Sequence, residues 1–157
     1  MRIVVVVKIE RERENGEMAT AADAELVLKL YELRREESLR AARKFMIFEF
    51  NPKTLEELRA VSRAMGSPDN ACWRQMLSFW EMAASLVLRG AVDADLFLDS
   101  NVEGILMYAK FHHWHAESEK ETGNLFMKNT AELIQKYPAA ALWHKNFLVN
   151  FGPKTAA

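Results

Sequence analysis

From Asn70 to Arg89 the chain is apolar around most of a helical circumference. At about 100° per residue, Trp73, Met76, Leu77, Trp80, Ala83, Ala84, Val87 and Leu88 fall on one broad face, with Phe79, Met82 and Leu86 behind them. Only a strip of Arg74, Ser78, Glu81, Ser85 and Arg89 is polar. Such a helix belongs in the middle of a bundle or at a subunit contact. Gly90 is placed to stop it, because glycine accepts a left-handed C′ conformation without a Cβ penalty. Asp93 is placed to cap the next segment, its carboxylate accepting orphan backbone N–H groups.

The rest of the pattern reads the same way. A first helix is expected from Thr20 or Ala21 to about Phe48, with Leu26, Leu30, Leu33, Ala41, Phe45 and Phe48 along one sector. Lys29, Glu32, Glu36, Arg40 and Arg43 form a charged stripe on it at i, i+3 and i+4 spacing. Asn51-Pro52 breaks it. Thr54-Leu-Glu-Glu57 is a capping box for a short helix to Met65. Gly66-Ser-Pro68-Asp69 is a turn. Past Asp93 to Asp99, another helix spans about Asn101 to Glu121, and Thr122-Gly-Asn124 ends it. Leu125 to Tyr137 and Ala139 to Asn150, separated at Pro138, complete the set. The expected fold is all-α, an irregular bundle of five or six helices in a single domain over residues 18–151, with a tail at 152–157.

Residues 1–17 stand apart. Ile3 to Val7 is β-branched and reads as a strand, but it has no partner strand elsewhere, and Lys8 to Glu17 is almost wholly charged. Two readings stay open: a detached arm, or a mis-called start in which Met18 is the natural first residue.

The central segment also carries a resemblance. Trp80 to Val87 (WEMAASLV), Gly90 to Asp93 (GAVD), the Phe97, Asp99, Asn101, Glu103 spacing, and Ala109-Lys110 resemble an uncharacterised family of bacterial helical domains of unknown function. Ala41 to Phe50 is also similar, so the likeness covers roughly Leu30 to Lys110. It implies an all-helical domain and no activity, cofactor or catalytic residue. Some members of that family carry an N-terminal membrane anchor, which is not expected here. One departure is Val102, where the family pattern has glycine, which puts a tight turn there in doubt.

Composition narrows the function classes. A chain of 157 residues, half of them apolar, buries roughly 70% of its unfolded surface as a single domain. With 21 basic and 22 acidic residues the net charge is −1, which gives no general pull toward nucleic acid or anionic membrane. Cys72 is the sole cysteine, so no internal disulfide or cysteine zinc site can form, in keeping with a cytoplasmic protein. No apolar run approaches the ~20 residues a membrane span needs.

Candidate chemistry is sparse. His112, His115 and Glu119 share one stripe of the expected helix, with Tyr108 beside them, and two imidazoles with a carboxylate can bind a divalent metal. Bundle metal sites usually draw ligands from several helices, so a polar helix face is the competing reading. His113 is expected to pack inward. Arg34, Arg35, Arg40, Arg43 and Lys44 alternate with glutamates and read as a self-paired, solvated surface. Asp93, Asp95, Asp99, Asn101 and Glu103 lack the spacing of a calcium loop. No nucleophile, nucleotide or metalloprotease motif is present. The aromatic surplus, Trp73, Phe79, Trp80, Phe111, Trp114 and Trp143, suggests an interface, since such residues are enriched there. The expected function is a non-catalytic interaction or regulatory domain, homodimeric or bound to a protein partner, without a cofactor. A metal-binding protein or enzyme using the histidine face is the alternative.

Overall fold

The sequence folds, in a computed structural model that describes residues 18–151, into helices throughout. The arm with its expected strand at Ile3 to Val7, and the tail from residue 152, lie outside the described residues. Among the described residues there are nine α-helical segments: α1 Ala21–Arg35, α2 Glu37–Lys44, α3 Leu55–Ser62, α4 Pro68–Leu88, α5 Ala94–Leu98, α6 Glu103–Lys110, α7 His115–Thr122, α8 Lys128–Lys136 and α9 Pro138–Phe151. The all-α expectation holds. The count is larger because two expected long helices are each broken once and the Asp93 turn becomes α5.

Helix α4 is the axis, packed against α2, α3, α6 and α8, while α9 closes over α6 and α8. Met76, Trp80, Ala83, Ala84 and Val87 are buried, as the face assignment requires. Gly90 takes φ +75°, and the Asp93 carboxylate accepts from the Leu96 N–H at 2.8 Å. Ser67 caps α4 by accepting from the Asn70 N–H at 3.1 Å, with Pro68 in its first turn. Thr54 caps α3 in the same way at 3.2 Å. Buried Asn70 then donates to the Val61 and Ser62 carbonyls, satisfying the open end of α3.

The first break has a packing cause. Glu36 adopts φ −55° and ψ 141°, separating α1 from α2. On one straight helix, buried Leu30 and buried Met46 would lie roughly 160° apart at 100° per residue. Both cannot face one core unless the helix turns between them. The bend buries Leu39, Ala42 and Met46 and leaves Ala41 and Phe48 exposed, correcting the expected sector.

The end of that segment widens into a π turn over Phe45–Glu49, with the Phe50 N–H donating to the Phe45 carbonyl at 2.8 Å. A π turn frees carbonyls from regular pairing. Buried Lys110 supplies donors: its Nζ donates to the Met46 carbonyl at 2.5 Å and the Ile47 carbonyl at 3.2 Å. Burial, with Lys53 adding to it, pushes the Lys110 pKa down to about 8.

Helix α6 crosses α4 at unusually short range. A Cβ at Gly104 would sit 2.9 Å from the Trp80 Cβ, so only glycine permits this approach. Val102 has φ −110°, which needs no glycine, so the departure from the family pattern costs nothing in backbone conformation. No helix among the described residues is long and apolar enough to cross a membrane.

Candidate functional site

The second broken helix decides where the histidines go. After α6, Phe111 departs from helical geometry and His112–Trp114 form one 3-10 turn before α7 begins at His115. A 3-10 turn advances by 3 residues rather than 3.6, so one continuous stripe through residues 112, 115 and 119 is not maintained. His112 and His113 are exposed, correcting the inward packing expected of His113. The rings of His112 and His115 lie 6.0 Å apart. His115 turns inward, 4.2 Å from the Tyr108 ring and stacked on Phe126 at 4.7 Å. The Glu119 carboxylate accepts from the Phe126 N–H at 3.4 Å.

Tertiary folding adds a residue for which the sequence showed no role. His144 of α9 comes within 5.3 Å of Tyr108. Burial pushes the His115 pKa down to about 4, against a hydrogen bond to the Tyr108 backbone that raises it. Burial lowers His144 as well, with the charge of His112 adding to the effect. Both imidazoles are therefore neutral near pH 7. Their Nε2 atoms are buried and have no hydrogen-bond partner among the described residues. No group of three His, Cys, Asp or Glu side chains among the described residues is arranged to hold a metal ion. Burial raises the Cys72 pKa, so it is not an activated thiolate.

On the other side of Phe126 lies a groove of about 500 Å³, between α3, α4, α7 and the segment joining α7 to α8. Trp73, Leu77 and Phe126 line its apolar side. Arg59 of α3 and Arg63 at its C-cap, one helical turn apart, both pair with Glu121 of α7, Arg63 at 2.5 Å. The Arg59 hydrogen bond, then that of Arg63, holds the Glu121 carboxyl below the usual range. The Arg59 Nε is buried without a partner among the described residues. Sequence reading missed this site because its parts are about 60 residues apart in the chain; the i, i+4 arginine spacing at the end of α3 was the one available signal.

Of the basic residues of α1 and α2, Arg34 and Arg43 pair across the fold, while Arg35, Arg40 and Lys44 are exposed. Arg34 reaches Glu103 at 3.0 Å and Arg43 reaches it at 2.5 Å, with the Arg34 guanidinium 5.5 Å from the Trp80 ring centre. For Arg34 and Arg43 this corrects the expected local pairing, whereas Lys29 pairs with Glu32 at 3.2 Å and Lys44 with Glu49 at 3.1 Å on the surface. The aromatic surplus mostly enters the core: Trp73 packs edge-on against Phe111 at 5.0 Å, and of the six residues assigned to an interface only Trp143 is exposed.

No curated protein and no solved structure matches the chain. Residues 19–137 match a family described as a domain of unknown function, DUF4760, which extends the resemblance seen over Leu30 to Lys110 at both ends. The groove lies wholly within the match and His144 lies beyond it. The chain belongs to the DUF4760 family.

Proposed function

We propose that this chain is a non-catalytic interaction domain with a regulatory role, acting in the cytoplasm and associating with a second copy of itself. The observation that carries this reading is the outer face of α9. That helix buries Ala140 against the bundle, yet its opposite side presents Leu142 and Val149, 50% and 83% exposed. Trp143, 40% exposed and stacked on Phe147 at 5.5 Å, flanks them. Its sole charged residue is Lys145. Lys145 and Asn146 lie between Leu142 and Val149 on that side, and a helix that exposes large apolar side chains there is suited to a second packing surface. The nearly balanced charge of the whole chain argues against nucleic acid as the partner. Sedimentation velocity over a wide concentration range tests the reading. Self-association should be present and lost in the Leu142→Lys, Val149→Lys double variant, with helicity retained. A monomer at every concentration would overturn it.

A second reading is divalent-metal binding at His112, His115 and Glu119. The neutral state of His115 and its unpartnered Nε2 favour it, since a metal ligand must be an unprotonated imidazole. The inward turn of His115 and the Phe126 N–H on Glu119 weigh against it. Stoichiometric zinc uptake by calorimetry, abolished by Glu119→Gln, would establish this reading over the first.

A further inference from the structure

We infer that the groove between α3, α4 and α7 binds a small carboxylate bearing an apolar tail, and that Glu121 occupies the carboxylate position when the groove is empty. This goes beyond self-association and does not depend on it.

Three observations carry the inference. The first is size and lining: about 500 Å³, with Trp73, Leu77, Trp114 and Phe126 at its walls. That volume falls within the ~300–1,000 Å³ of small-molecule sites, which are mostly apolar with a few converging polar groups.

The second is charge. Arg59 and Arg63 present two guanidiniums to one carboxylate, and the buried Arg59 Nε is left over. The other carboxylate at the groove, Glu81, is committed to the backbone of α8. An arginine fork matches a planar carboxylate in two parallel bonds, so Glu121 marks where a ligand carboxylate would lie.

The third is position. Glu121 stands in the last turn of α7, next to Gly123 at φ +71° and the exposed Thr122 and Asn124. Its side chain can swing to water at little cost, because ion pairs at the surface contribute little to stability. The ligand's tail would then cover the aromatic walls. An inorganic anion would leave those walls wet, and an uncharged lipid would leave the arginines unanswered.

The test is titration of the full chain with decanoate at submicellar concentration, read by tryptophan fluorescence, since Trp73 and Trp114 line the groove. Decanol and acetate are titrated in parallel. Saturable quenching by decanoate is expected, with decanol and acetate roughly tenfold weaker or more. Arg59→Gln and Arg63→Gln should each weaken decanoate by a similar factor. Glu121→Gln, which removes the internal competitor, should tighten it several-fold, an effect that a purely structural clip between α3 and α7 would not produce. Arg63 has a largely exposed side chain, so its variant keeps the test usable if the Arg59 variant fails to fold. No saturable signal, equal binding of decanol and decanoate, or a Glu121→Gln variant that binds no more tightly would each overturn the inference.

Discussion

Helix α8 begins without a capping side chain of its own, and replacing Glu81 should reveal what substitutes for it. Met127 precedes the helix in a left-handed conformation, φ 44°, and provides no side-chain cap. The Glu81 carboxylate, reaching over from α4, accepts from the Asn129 N–H at 3.0 Å, the Thr130 N–H at 2.9 Å and the Thr130 hydroxyl at 2.8 Å. Glu81→Ala removes both acceptor oxygens and so all three hydrogen bonds at once. Loss of a helix cap costs ~0.5–2 kcal/mol. The Thr130 hydroxyl, on a residue only 1% exposed, adds roughly 1 kcal/mol once orphaned. The sum is about 1.5–3 kcal/mol, against the under ~0.5 kcal/mol expected of a residue on a solvated polar strip. Differential scanning calorimetry should show Tm falling by roughly 3–12 °C for a domain of this size. Glu81→Gln keeps one acceptor oxygen and should lose about half as much. Glu132→Ala, exposed on α8 itself, is the control and should stay within ~0.5 kcal/mol. Hydrogen exchange at the Asn129 and Thr130 amides should accelerate in Glu81→Ala. A Tm within 1 °C of the parent on the ~2–4 °C per kcal/mol scale, with exchange unchanged, would refute the cap.

Gly104→Ala should destabilise the fold by ~1–3 kcal/mol in urea titration, because its Cβ meets Trp80 and the helix-propensity gain is at most ~1 kcal/mol; a more stable variant would show that α6 can move aside. His115 has a folded pKa near 4, below its unfolded value of 6.5, so the unfolded chain binds more protons in that window and stability falls as pH drops from 6.5 to 4. His115→Phe should flatten that fall, by up to about 3 kcal/mol at pH 4, and an unaltered pH profile of Tm would contradict the buried neutral ring. Lys110 also titrates lower when folded, at about 8 against 10.5 unfolded, so stability should rise with pH between those values. In Lys110→Met that rise should disappear, and its persistence would place the titrating group elsewhere.

What the chain determines locally is read directly from it. The α4 face, the stop at Gly90, the caps at Thr54 and Asp93, and the turn before Pro68 depend on neighbours within four residues, where periodicity and capping chemistry act. The helical class follows from these, and so does the family resemblance. The two breaks were not legible, because neither Glu36 nor Phe111 is a helix breaker by type. The break at Glu36 lets apolar residues on opposite sides of a straight helix reach one core, and the energy for that comes from packing. The same holds for every constellation of side chains. Glu81 reads as solvent-facing until α8 arrives above it. Arg34 and Arg43 read as self-paired until Glu103 is brought between them. His144 has no visible role until α9 folds back onto Tyr108, and Arg59 and Arg63 form no site until Glu121 closes on them. Sequence spacing fixes which side chains share a helical face, whereas the partner across that face is set by long-range packing, and in this protein the candidate sites are built almost entirely from such partners.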